Sequence, residues 1–263
     1  MADSVLTTLG AGSGIDTRKL VADLTAATRQ PRERVIVARE TANTARLGAL
    51  AQLSSGVTTI ADSARTRLRT LADADVPTFV EDLVGALNEL RDQLNTATQA
   101  NAGSTAPLGA DNGARALARA LGGFVGAAVA GSSLRLTDLG VATARDGTLT
   151  LDSARLAAAI ATDPAAVKAL LGIGSAAPTG LGSALQTLKT TMTGSRGVLG
   201  QSKSVYARAT AAITRDRARL DTDMATMTDR LTTSFSAMDR QVAAIKASQA
   251  YLTQQVAMWT AQR

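Results

Sequence analysis

The chain has 263 residues, a formal net charge of +6, and neither cysteine nor histidine. Those two absences exclude disulfides, zinc sites built on Cys or His, and reactions driven by a thiolate or an imidazole. A hydrophobic share of 45% with only 2% aromatic residues suits close helix packing more than deep pockets or base-stacking platforms, so no catalysis, cofactor or metal is expected.

In chain order, Met1 to Gly10 lacks the basic start and apolar core of a secretory signal, so any export is expected to take another route. Gly10-Ala11-Gly12-Ser13-Gly14 has the glycine density of a phosphate loop, but no strand precedes it and no Gly-Lys-Ser/Thr closes it. It reads as an entry segment to a helix over Thr17 to Gln30, capped by Asp16 and presenting Leu20, Leu24 and Ala27 on one face. Pro31 either starts the next helix at its first position or kinks a continuous one. Thr41 to Leu71 follows as a helix, with Leu50, Val57, Ala64 and Leu71 seven residues apart and Leu53 and Ile60 beside them.

The middle is mixed. Thr78 to Thr98 reads as a helix with Phe79, Leu83, Leu87, Leu90 and Leu94 on one face, then a small-residue loop from Asn101 to Gly109, then a helix from Gly113 to Phe124. The most apolar stretch, Ala120 to Gly131, is shorter than the roughly 18–20 residues a bilayer span needs, so no membrane insertion is expected. The period then changes to two on either side of Asp146-Gly147, with Val141 to Ala144 before it and Thr148 to Leu151 after it. An Asp-Gly between alternating runs predicts a β-hairpin. Asp152 or Ser153 caps the next helix, Asp163-Pro164 opens another through Leu171, and Thr179 to Met192 is helical again. Gly194 to Gly200 is the turn into the final element.

That element is the strongest signal in the chain. From Gln201 to Trp259 there is no proline or glycine, and Met224, Leu231, Met238, Ile245, Leu252 and Trp259 recur every seven residues. A second column, Met227, Phe235, Val242 and Val256, shifts from three to four residues behind the first. The shift lengthens the period and predicts a nearly straight helix of about 90 Å. A compact globule of this mass is only about 50 Å across, so an elongated molecule is expected. The terminal stripes can cover each other as an antiparallel pair, leaving the middle of the chain as a head. The expected fold is thus mainly α with a small β-hairpin. Its divisions are 1–40 as an N-terminal leg segment paired with the C-terminal leg helix 220–263, and 41–219 as the head.

The basic balance is the one hint of a nucleic-acid partner. Most basic residues alternate with acids, as in Arg215-Asp216-Arg217, and such runs form a solvated helix face. A basic helical nucleic-acid binder is therefore the alternative from another functional class.

Leu9-Gly10-Ala11-Gly12-Ser13-Gly14-Ile15-Asp16-Thr17, with Leu20-Val21 and Leu24, resembles the N-terminus of the flagellar hook-associated protein 2 family, the filament-capping proteins. Phe79-Val80, Leu87-Asn88, Pro107-Leu108-Gly109, Leu139-Gly140-Val141, Arg145-Asp146-Gly147-Thr148-Leu149, Leu151-Asp152 and Asp163-Pro164 follow in that family's order. Ser234-Phe235-Ser236-Ala237-Met238-Asp239 and Tyr251-Leu252-Thr253-Gln254-Gln255 are similar to its C-terminal signature.

The resemblance implies a structural role outside the cell, at the flagellum tip. There a ring of copies, a pentamer in the family, would retain flagellin and assist its folding and insertion. Hook-filament junction proteins and a flagellar export chaperone are implied as further partners. The alternative within the structural class is another axial protein, at the hook-filament junction or flagellin-like. Only Ala72 to Pro77 stands where relatives insert a large β-rich segment, so the resemblance implies a short form without the plate domains. The loop Asn101 to Gly109 and the hairpin tip at Asp146 then become candidates for covering the pore. The expected interface residues, for self-assembly or flagellin contact, are Ile15, Leu20, Leu24, Met238, Ile245, Tyr251 and Leu252. Apolar side chains on a long rod lack intramolecular cover.

Overall fold

The computed structural model describes residues 16–100 and 106–261. The Gly10 to Gly14 segment, Ile15 and the first half of the Asn101 to Gly109 loop lie outside the described residues. The elements are α1 (Thr17–Leu68), a 3-10 turn (Asp73–Asp75), α2 (Val76–Thr98), α3 (Asn112–Phe124), β1 (Val141–Thr143), β2 (Leu149–Leu151), α4 (Ser153–Thr162), α5 (Pro164–Leu171), α6 (Gly180–Thr193) and α7 (Val198–Ala261). The fold is mainly helical with one small antiparallel sheet.

Asp16 takes the capping role assigned to it, accepting from the Lys19 backbone N–H at 2.9 Å. Pro31 sits inside α1, which runs on without a break. A proline removes one backbone donor and orphans the carbonyl four residues earlier, that of Ala27. Both residues are exposed, so water can satisfy that carbonyl.

The chain divides into two compact units, residues 1–40 with 211–263 and residues 41–210. In the first unit, α1 and α7 run antiparallel. Thr25 meets Thr228 at 3.3 Å, Arg29 pairs with Asp221 at 2.7 Å, Arg39 with Asp216 at 3.6 Å and Arg217 with Glu40 at 2.7 Å, the partners running from 228 back to 216 and 217 as α1 advances from 25 to 40. The buried centre is small: Ile36, Leu220 and Met224, flanked by Ile213 and Met227.

The second unit holds the main core. The predicted α2 face is buried entire, Phe79, Leu83, Leu87, Leu90 and Leu94, and packs in one cluster with Leu50, Leu53 and Val57 of α1. Leu117, Leu170, Leu171, Leu181, Leu185 and Leu199 complete that cluster from the later helices. Three aspartates start three helices by accepting a backbone N–H: Asp111 from Ala114, Asp152 from Arg155 and Asp163 from Ala166, each at 2.9–3.0 Å. Of the two cap candidates before α4, Asp152 is the one used.

The hairpin forms where predicted, with Val141 opposite Leu151, Ala142 opposite Thr150 and Thr143 opposite Leu149. Its strands are a residue shorter at the turn than the alternating pattern suggested. Asp146 accepts from the Thr148 N–H at 2.9 Å, and Gly147 takes a φ of +88°. That is a conformation glycine adopts without strain.

Candidate interaction surface

Described residues hold no cluster of three or more metal-ligating side chains, and no helix among them is long and apolar enough to cross a membrane. What the first unit offers is a change along α7 from covered to uncovered apolar side chains. Met224 is 5% exposed, Met238 36%, Ile245 58%, Leu252 61% and Trp259 70%. These five residues belong to one seven-residue column, so the same helix face loses its cover progressively. The neighbouring column behaves alike, from half-buried Phe235 and Val242 to Val256 at 56%.

The cause is local. Leu220 and Met224 have Ile36 of α1 against them, whereas from Met238 onward the side chains of this column are exposed. Tyr251 is exposed as well, and its hydroxyl accepts from the Gln255 amide at 2.7 Å, a contact within the helix.

On α1, Leu20 and Leu24 are exposed, while Val21 and Ile36 are buried and Thr25 half-buried. The inner row of α1 is therefore Val21, Thr25 and Ile36, one position round from the Leu20, Leu24 and Ala27 face expected from leucine spacing. Of the seven residues expected at an interface, the six described ones all present exposed side chains, on two helices of one unit. Exposed Val35, Val37, Met258 and Trp259 belong to the same apolar inventory and were not among them. Trp259 was legible from its place in the heptad column; Val35 and Val37 flank the buried Ile36 with no spacing signal.

The electrostatic frame around this pair is regular. Hydrogen bonds to Glu33 and then to Asp221 hold the Arg29 guanidinium protonated more firmly than usual, and Asp23 does the same for the Lys19 ammonium. Arg32 and Asp223, 3.5 Å apart, border a groove of about 500 Å³ floored by Met224, Met227 and Leu231. All these ion pairs are solvent-exposed. They select the register of the two helices more than they stabilise it.

In the second unit the hairpin tip is held from behind. Asp146 has its carboxyl kept below the usual range by hydrogen bonds from Thr148, and the Arg91 guanidinium lies against Gly147. The tip is thus fixed to α2. Neither it nor the described part of the Asn101 to Gly109 loop brings catalytic groups together.

No curated protein matches the chain. A solved structure titled as the flagellar cap protein FliD D1-D2-D3 domains from Escherichia coli is 28% identical, with a TM-score of 0.42, over 49% of this chain and 35% of that one. The chain thus spans about a third of the length of the solved relative. The family model described as Flagellar hook-associated protein 2 C-terminus matches residues 58–247, through both strands and far along α7. By that match, which takes in well over half of its residues, the chain belongs to the flagellar hook-associated protein 2 family.

Proposed function

We propose that the chain caps the bacterial flagellar filament. In this reading the α1 and α7 segments of the first unit form a coiled-coil-like leg, and the helix-and-hairpin unit forms the head. Copies assemble as a ring at the filament tip, outside the cell, where they retain flagellin and assist its folding and insertion. Function comes from assembly and contact, with the export chaperone and the junction proteins as transient partners. Family membership supports this reading, and one observation carries it: the apolar column on α7 goes from 5% to 70% exposed between Met224 and Trp259. Fully burying one such side chain gains roughly 1.5–3 kcal/mol, so four or five of them against neighbouring copies or flagellin supply a strong drive to assemble.

The test is genetic. In a strain deleted for this protein, the full chain is expected to restore swimming and to stop flagellin escaping into the medium. A chain shortened before Tyr251 is expected to do neither, while its second unit stays folded. Flagellin retained but filaments detached at their base would favour a junction protein instead.

A further inference from the structure

On α1, Ile36, Asn43, Leu50, Val57 and Ala64 stand seven residues apart, and all five are buried. Asn43 is the polar rung of that column, at 4% exposed. Its Nδ2 donates to the Tyr206 carbonyl at 3.0 Å and to the Thr210 hydroxyl at 2.8 Å. Its Oδ1 is buried and receives no donor among the described residues. The Tyr206 carbonyl can only accept, which fixes the amide with its NH2 toward α7. Asn43 thus leaves a buried acceptor unmet where a leucine of similar size would have none to meet.

The rung stands in a thinly covered stretch of the two helices. No other α1 residue between Ile36 and Ala49 is buried, and no α7 residue between Ser202 and Leu220. The buried apolar residues to either side belong to separate clusters, Ile36 with Leu220 and Met224, and Leu50 with Leu199. Half-buried Ile213 packs on the first cluster and Tyr206 on the second, with the Arg46 guanidinium 5.6 Å from the centre of the Tyr206 ring. The apolar seam along α1 and α7 therefore breaks at the layer of Asn43 and Thr210.

We propose that this polar layer is a built-in stop for opening. The α1 and α7 pair of the first unit opens in a step that runs through Asn43 and halts at Leu50, with the main core still folded. Opening the layer exchanges two hydrogen bonds for bonds to water and gives Oδ1 the donor it lacks, so little opposes it. Going on to Leu50 bares side chains of the main cluster, and nothing in water offsets that. An apolar residue at position 43 would carry the seam across and move the stop. The inference rests on the reading of this pair as a leg, and gives the leg freedom to open and repack against neighbouring copies while the second unit keeps its shape.

The test is hydrogen exchange of the isolated full chain, under conditions where rates report opening equilibria. Amides of residues 17–48 and 207–237 are expected to share one opening class, exchanging about tenfold or more faster than those of 50–64 and 79–97. In Asn43→Leu, residues 41–48 and 207–212 are expected to leave that class and slow by about tenfold or more, while 17–36 stay as in the parent. Where that variant does not fold, Thr210→Val takes an acceptor from Asn43 and is expected to speed the exchange of residues 41–48 severalfold. Residues 41–48 exchanging with 50–64 in the parent, or at the parental rate in the variants, would overturn the stop. The assay involves no flagellin, so the stop and the capping role fail separately: its loss leaves the result in the deletion strain untouched, and failure to cap leaves the exchange classes as they are.

Discussion

Asn88 of α2 and Leu149 of β2 exchange two hydrogen bonds, the Leu149 N–H donating to Asn88 Oδ1 at 2.7 Å and Asn88 Nδ2 donating to the Leu149 carbonyl at 2.9 Å. The side-chain amide thus does for the outer edge of β2 what a third strand would do. It ties a two-stranded hairpin, which is marginal alone, to the main helix of the core. Asn88→Ala leaves both backbone groups unpaired and is expected to cost about 1–3 kcal/mol. Urea unfolding of variant and parent measures it; equal midpoints would show that the hairpin stands without this tie.

In the first unit, packing is expected to outweigh charge. Ile36→Ala empties the centre between α1 and α7 and is expected to cost about 2–4 kcal/mol of that unit's stability. Asp221→Asn removes the charge that Arg29 meets across the pair on an exposed face, leaving Glu33 beside it, and is expected to cost under about 1 kcal/mol. Hydrogen exchange of α1 and α7 amides before residue 40 and after residue 211 ranks the two. The opposite ranking contradicts the account of this pair.

Asp62 of α1 receives both contacts of the Lys189 ammonium, at 2.7 and 2.8 Å, with the Gln186 amide at 3.3 Å. The Lys189 hydrogen bonds foremost, then Gln186, hold its carboxyl below the ordinary value. A carboxylate with a depressed folded pKa stabilises the fold above its unfolded pKa, about 3.9, and that contribution is lost as pH falls through the folded pKa. Asp62→Asn is therefore expected to lower Tm at pH 7 and to converge on the parent at strongly acidic pH. A gap in Tm that persists undiminished at pH 2 would tell against the ion pair.

Tyr206 has its phenol pushed up by burial first and by the Asp111 hydrogen bond and charge second. The chain contains two tyrosines, so Tyr251→Phe leaves Tyr206 to be followed alone by ultraviolet titration. Its midpoint is expected above 10, the ordinary value, moving down in Asp111→Asn. Because the raised pKa belongs to the folded state, its stabilisation is complete below pH 10 and is lost as pH rises through the folded value.

Much of this architecture was legible because it rests on local rules. Asp146-Gly147 between alternating runs located the hairpin, Asp16 and Asp163 marked helix starts, and the leucine face of α2 was read residue for residue. The face of early α1 was not, since leucine spacing pointed to Leu20 and Leu24 while the buried row contains Thr25, which meets Thr228. Spacing records apolarity, and a polar residue on an inner row is invisible to it. Asn88 with Leu149 and Asp111 with Tyr206 join residues 61 and 95 positions apart, so only the packed fold displays them. The uncovered end of α7 was foreshadowed by a heptad column longer than its partner stripe, and the structure sets the change near Met238.

The claim that this uncovered column drives assembly is tested most directly by measuring secreted flagellin in a deletion strain carrying Ile245→Ser and Leu252→Ser together. Both residues are exposed, so the variant is expected to be made and folded like the parent. The account predicts flagellin accumulating in the medium and short or absent filaments. Flagellin retained at the parental level, with filaments of normal length, would contradict it.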